Sequence, residues 1–306
     1  MGLGMSSLQN LLELNNLGYF KNSKSIIEMG SQELHIKKED LKELLEHAGF
    51  DGDLVNKIPN INNWPSGPRA SSKHFYSLLG IKEYSSLDNN GQSEVINHDL
   101  NEPLEDESMF RKFDIVTDYG TCDCIYNVGE CYKTMHKLAK KDGYIIIHQH
   151  AFKPFRYYLF DKSFFESIAA ANNYKIIFNS FTITPGKKTK YGSDYEYHVP
   201  ASRAIFNMFD LSKNTPIGIY VVFQKQDNND FKTPGSYDNN LKTPEPTFVS
   251  ESEDTNFIGF NRMFLKDPME YSYIPSATLK LDAPIGLLIK IILKRLVKKF
   301  KRIIKI

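Results

Sequence analysis

Several things are scarce in this sequence, and each scarcity narrows its class. Of 306 residues only three are cysteine, Cys122, Cys124 and Cys131, and they sit close together. The N-terminal run MGLGMSSLQNLLELNN has no basic stretch followed by an apolar core, so no secretory leader is expected there. An odd cysteine count without such a leader points to a reducing compartment and against a disulfide framework. The spacing Cys122-x-Cys124-x6-Cys131 contains no CxxC pair, and there is no second pair elsewhere, so no metal site is expected. Met1-Gly2 with Ser6 fits a myristoylation pattern superficially, but nothing else supports lipidation. Apolar runs long enough to span a bilayer are missing. A formal net charge of only +1 gives the chain as a whole no strong electrostatic preference for a partner. There is no internal repeat.

What is present resembles an ordinary globular chain: 41% hydrophobic and 25% charged. Periodicity and breakers predict a helix over 6–16, a buried strand over Ser25–Met29, and a helix over 39–49 with Leu41, Leu44 and Leu45 on one face. An Asn-, Pro- and Gly-rich loop then runs from Asp51 to Arg69, followed by a helix over Ser71–Leu79 and a strand over Glu83–Leu87. Further strands are predicted at Ser93–Asn97, Phe113–Thr117, Tyr144–His148, Tyr174–Phe181 and Ile217–Gln224, with helices at Asn127–Ala139 and Ser163–Ala171. Alternating strands and helices with short connections imply a Rossmann-like, doubly wound α/β fold, its mostly parallel sheet covered on both faces. No helix separates the last two strands, so they are expected to form an antiparallel pair at the sheet edge. After Lys225 the apolar content collapses. The expected division is a Rossmann-like domain over 1–225, an irregular linker or lid over 226–280, and a separate helical element over 281–306.

In such a sheet, ligands bind beyond the carboxyl ends of the strands, where strand order reverses. The first strand and its turn read Ile26-Ile27-Glu28-Met29-Gly30-Ser31-Gln32-Glu33-Leu34. A glycine there allows close backbone approach, and the acidic strand end can accept from an ammonium group or hold water. Asp88 ends the second strand and suits a ribose diol. Asp99 follows the third, where it can accept from an adenine amine while the Leu100 N–H donates to a ring nitrogen. A nicotinamide dinucleotide needs further glycines for its pyrophosphate, and these are missing. The ordinary alternative, solvated loop carboxylates, holds for any one of these residues more readily than for the ordered set.

The series EMGSQEL, YSSLDNNG, NHDLNEPL, FDIVTDYGT and GYIIIHQHAF resembles the ordered motifs of class I S-adenosylmethionine-dependent methyltransferases. It is similar in particular to the branch often encoded among surface-polysaccharide genes, and the resemblance covers about residues 20–225. It implies S-adenosyl-L-methionine as cofactor. Glu28 and Gly30 would lie beside its methionine part, Asp88 at the ribose, and Asp99 with Leu100 around the adenine. Asp118, with Tyr119 and Gly120, would face the methionine moiety and the substrate. The sequence departs from the motif at the turn, where Gln32 and Leu34 stand in place of glycines. Gln32 would either crowd the cofactor or bond to it. A long insertion also separates the first helix from the second strand.

Methyl transfer is an in-line displacement that needs alignment and, for some acceptors, a base. His148 and His150 follow the fifth strand, and an imidazole suits that task. His136, on the preceding helix, reads better as a structural histidine. Arg156 and Tyr157, in an aromatic loop, are candidates for substrate binding, with edge packing as the alternative.

Residues 284–306, PIGLLIKIILKRLVKKFKRIIKI, carry an apolar stripe of Ile285, Leu288, Ile289, Ile292, Leu296, Phe300 and Ile303. The opposite face carries Lys290, Lys294, Lys298, Lys301 and Lys305. Packing on the domain or on a partner explains only the stripe and nucleic acid only the charge, whereas an anionic membrane surface explains both faces. The expectation is a cytoplasmic methyltransferase, peripheral at the inner membrane face, acting on a small-molecule or glycan acceptor. The alternative is a non-catalytic membrane-associated protein that retains the fold.

Overall fold

The computed structural model describes residues 2–89, 95–152, 156–184, 188–201 and 216–235, together with Leu293. Eight strands form the main sheet: β1 (Ser25–Met29), β2 (Glu83–Asp88), β3 (Val95–Asn97), β4 (Phe113–Tyr119), β5 (Ala139–Phe152), β6 (Tyr174–Ile183), β7 (Tyr197–Pro200) and β8 (Ile217–Lys225). Their order is β3-β2-β1-β4-β5-β8-β6-β7. The pairs from β3 through to β5 are parallel, whereas β8 runs antiparallel to both β5 and β6, and β7 antiparallel to β6. Strand order reverses at β1, which has β2 on one side and β4 on the other. This arrangement is a mostly parallel, Rossmann-like doubly wound sheet.

Helices α1 (Met5–Asn16), α2 (Lys38–His47) and α3 (Ser72–Leu78) cover one face, and α4 (Val128–Leu138) and α5 (Lys162–Ala171) the other. Alternation along the strands assigns each side chain to a layer. Ile26, Ile115, Ile146, Tyr220 and Val222 pack with Leu8, Leu11, Leu41, Leu44 and Phe75. Ile27, Val116, Ile145, Val221 and Phe223 pack with Cys131, Met135, Leu138, Phe165 and Ile168. Each fully buried aliphatic or aromatic side chain contributes about 1.5–3 kcal/mol. Ser71 caps α3 by accepting from the Lys73 N–H, and Asp161 caps α5 by accepting from the Ser163 N–H. At the amino ends of the strands, Asp114 accepts from the Lys24 and Ser25 N–H groups and from Lys140 Nζ, tying β1, β4 and β5 together.

The placement of the last strand corrects the expected topology. β8 is an inner strand, inserted between β5 and β6, and the antiparallel edge belongs to β7, which the sequence did not announce. The physical reason lies in Ile217–Lys225 itself. All but one of its residues are buried, as a strand paired on both sides and covered on both faces requires. Asp142-Gly143 lies within β5 as a bulge: the β4–β5 register slips there, and Asp142 takes φ 63°. The Asp51–Arg69 loop contains short 3-10 turns at Gly52–Lys57 and Ile61–Asn63. Gly2–Leu3 pairs in parallel with Glu33–Leu34.

Residues 226–235 run along the α4–α5 side. The Lys232 N–H donates to Asn172, Arg111 donates to the Asn228 carbonyl, and Phe231 packs on the core. The rest of the expected linker, and the basic helix over 284–306 apart from Leu293, lie outside the described residues. Among the described residues no helix is long and apolar enough to cross a membrane.

Candidate active site

The crevice at the strand-order reversal is bounded by the turns after β1 and β4. Gly30 closes β1 at φ +75°, a left-handed conformation that favours glycine. A Cβ on Gly30 would stand 2.6 Å from Thr121 Oγ1, so the glycine also lets the two turns touch. The backbone donors of the β1 turn are all engaged within the chain. The Gly30 N–H donates to the Leu87 carbonyl at 2.7 Å, the Ser31 N–H to Asp88 at 2.9 Å, and the Gln32 N–H to Glu28 at 3.1 Å. No helix starts at this turn; α2 begins only at Lys38.

Glu28 is fully buried on the α1–α3 side. It accepts from Tyr84 Oη at 2.6 Å and Ser72 Oγ at 2.9 Å as well as from the Gln32 N–H. Burial pushes its carboxyl up to about 7, against the opposing effect of those hydrogen bonds. It therefore braces the turn from beneath. Asp88 is half-buried at the end of β2 and also accepts from the Asn89 N–H at 2.7 Å. Asp99 is exposed on the same rim, one position after His98, whose N–H bonds to the Asp88 carbonyl. Hydrogen bonds from the Asn101 backbone and side chain hold the Asp99 carboxyl below the usual range. Leu100 is buried, and its carbonyl accepts from Cys131 Sγ.

Asp118 is fully buried on the opposite side of the sheet from Glu28. It accepts from the Thr121 and Cys122 N–H groups at 2.9 and 3.2 Å and from Gln149 Nε2. Burial raises its carboxyl to about 6. Gln32 Nε2 spans the crevice, donating to the Gly30 carbonyl and to Thr121 Oγ1, both at 3.1 Å. Among the described residues, the amide oxygens of Gln32 and Gln149 are buried with no hydrogen-bond partner. Unpaired buried acceptors are costly, and these two flank the turn after β4.

The structure separates the two candidate histidines. His148 lies under α1 with both ring nitrogens bonded, Nδ1 to Ser7 Oγ at 3.1 Å and Nε2 to Thr182 Oγ1 at 2.8 Å. Burial, with His150 and His198 nearby, lowers it to about 3, so it is neutral and enclosed. Tyr119 shares that interior, with its hydroxyl 3.0 Å from that of Tyr220. His150 stands instead at the rim, with Nδ1 2.5 Å from Oδ2 of the fully buried Asp123. Arg156 Nε lies 3.6 Å from Asp123 Oδ1, and Tyr157 is 70% exposed next to it. His150, Arg156 and Tyr157 therefore come together, while His148 and Tyr119 sit elsewhere. Sequence reasoning missed Asp123, the residue that joins the group, because it lies in a three-residue 3-10 turn, Cys122–Cys124, that carries no periodic or strand-end signal. Both Cys122 and Cys131 are buried, and among the described residues no set of three or more His, Cys, Asp or Glu side chains could hold a metal.

The sheet is that of a doubly wound α/β domain whose topological switch point lies at β1, beside the turns after β1 and β4. No protein-family profile matches the chain, and no curated protein matches it in sequence. Among solved structures it is similar to the Burkholderia thailandensis 1,6-didemethyltoxoflavin N1-methyltransferase, seen with 1,6-didemethyltoxoflavin and S-adenosylhomocysteine. That match has 9% identity, covers 72% of this chain and 80% of that one, and has a TM-score of 0.38. It is also similar to an S-adenosylmethionine-dependent methyltransferase from Archaeoglobus fulgidus, with 12% identity, 71% and 94% coverage, and a TM-score of 0.34.

Proposed function

We propose that this chain is an S-adenosylmethionine-dependent methyltransferase. The observation that carries the reading is the state of the turn after β1. In dinucleotide-binding folds, the free N–H groups of that turn and the helix start behind it hold a pyrophosphate. Here the Ser31 and Gln32 N–H groups are taken by the carboxylates of Asp88 and Glu28, and no helix begins there. An anionic bridge has nothing to bind, whereas a donor without phosphates loses nothing.

The residues present fit such a donor. Asp88 offers carboxylate lone pairs for a ribose diol, and Asp99 with Leu100 lies on the same rim for an adenine ring. The Gly30 carbonyl and the unpaired oxygens of Gln32 and Gln149 are acceptors for an ammonium group. Gly30 and Asp118 shape the floor between the two turns. When bound, the donor supplies a sulfonium-activated methyl carbon: the acceptor's lone pair forms the new bond while the carbon–sulfur pair stays on sulfur. The chain's own task is to align the acceptor and exclude water, with Arg156 and Tyr157 placed to contact it.

The acceptor is a small molecule or a glycan. The basic amphipathic stretch 284–306 supports a peripheral place on an anionic, cytoplasmic membrane face, and with it a membrane-associated acceptor rather than nucleic acid. A second reading, a non-catalytic descendant, is favoured by one contact: the Gln32 amide that bridges Gly30 and Thr121 across the crevice. Calorimetric titration decides among these. Heat with S-adenosylmethionine or S-adenosylhomocysteine, and none with NAD, is expected. Silence with all three favours the non-catalytic reading, and binding of NAD alone overturns the proposal.

A further inference from the structure

The geometry points to His150 as the group that takes the acceptor's proton, with Asp123 as the positioning residue that fixes which ring nitrogen is free to do so. This rests on the methyltransferase reading and deepens it.

The four histidines of the sheet and α4 provide the contrast. His136 bonds Tyr174 Oη through Nδ1 at 2.6 Å and the Asn229 carbonyl through Nε2 at 2.7 Å. His148 bonds Ser7 and Thr182, and His198 bonds Ser180 Oγ at 2.7 Å and the Ser6 carbonyl at 3.1 Å. In each of these three, both ring nitrogens are spent on partners within the chain. His150 differs in both respects. Its Nδ1 faces a carboxylate, and among the described residues its Nε2 has no hydrogen-bond partner. Its side chain is 27% exposed, at the carboxyl end of β5.

Asp123 is an unusual residue to bury. It sits in a 3-10 turn after β4, 0% exposed, where an unpaired carboxylate is costly. The surrounding loop is built to keep it in place. The Asp123 carbonyl accepts from the Tyr157 and Tyr158 N–H groups at 3.1 and 3.3 Å, and Tyr158 Oη donates to the Tyr126 carbonyl at 2.6 Å. These contacts tie the loop after β5 to the loop after β4, so the carboxylate and the imidazole are held against each other by both loops. Arg156 stands on the other carboxylate oxygen. A carboxylate at Nδ1 requires the proton to be on that nitrogen, which leaves Nε2 as a bare lone pair. At the rim, that lone pair accepts the proton lost by an acceptor hydroxyl or amine as the new bond forms, and the resulting imidazolium is stabilised by Asp123.

The test reads the tautomer directly, without donor or acceptor. In the 15N-labelled full chain at a pH where His150 is neutral, nitrogen chemical shifts assigned with a His150→Gln control report which ring nitrogen bears the proton. The expected result is a proton on Nδ1 and a bare Nε2. Asp123→Asn presents an amide that can donate to Nδ1, and it should move the population towards the Nε2–H form. A wild-type proton on Nε2, or a tautomer unmoved by Asp123→Asn in folded protein, overturns the proposal. The wild-type spectrum decides on its own if the variant does not fold. The two readings fail separately: donor binding without the Nδ1–H tautomer removes only the dyad, and the tautomer without donor binding removes only the methyltransferase.

Discussion

Replacing Glu28 by Gln gives a quantitative check on how the β1 turn is built. Burial raises the Glu28 carboxyl from its ordinary 4.5 to about 7, with hydrogen bonds from Tyr84, Ser72 and Gln32 opposing the shift. A carboxyl raised on folding binds its proton more tightly in the native state. Its contribution to stability is therefore fully present below about pH 4.5 and is lost as pH rises towards 7. At 1.36 kcal/mol per unit, the loss is on the order of 3 kcal/mol. Glu28→Gln keeps an acceptor for the Ser72, Tyr84 and Gln32 donors and carries no charge at any pH. Denaturant unfolding of both proteins across pH 4.5–7.5 isolates this residue from the other ionisable groups, which the two proteins share. Relative to wild type, the variant should gain about 3 kcal/mol between the ends of that series. A difference that stays flat to within about 1 kcal/mol would show that Glu28 is solvated or ionised in the folded chain, and the account of the braced turn would fail.

Gly30→Ala should cost about 1–2 kcal/mol for the left-handed backbone alone. The contact with Thr121 adds to that cost, so combining it with Thr121→Ala should recover the steric part and not the backbone part, as read by thermal unfolding. Asp88→Ala removes the acceptor expected at the ribose and should weaken S-adenosylhomocysteine binding about 10- to 100-fold by calorimetry, the worth of a hydrogen bond to a charged group; unchanged affinity would remove Asp88 from the site. Flotation with anionic liposomes should require residues 284–306, and equal flotation of a chain lacking them would refute the membrane anchor.

Much of the fold was legible in the sequence because the local signals agreed with the global arrangement. The strands expected over Ser25–Met29 and Phe113–Thr117 and the helix expected over Asn127–Ala139 are found as β1, β4 and α4. The seating of β8 was not legible in this way. A fully apolar strand is compatible with any inner position, and strand order is set by pairings distant in sequence. The short β7 has too few residues for a pattern. At the site, the strand-end carboxylates were visible as a series, but their environments were not. Glu28 and Asp118 are buried on opposite sides of the sheet, whereas Asp88 and Asp99 share the open rim. His148 and His150 are two positions apart and read alike in sequence; only the tertiary packing of Ser7, Thr182 and Asp123 distinguishes an enclosed imidazole from one at the rim. The glutamine at position 32, a departure from the glycine motif, becomes interpretable once its amide is seen to link the turns after β1 and β4.

The most direct test of the central claim is a crystal of the full chain soaked with S-adenosylhomocysteine. The account predicts adenosine density bounded by Asp88, Asp99 and Leu100, with the amino-acid end at the Gly30 carbonyl and the amides of Gln32 and Gln149. Ligand bound elsewhere, or a crevice still closed by Gln32 on Thr121 at saturating ligand, would contradict it.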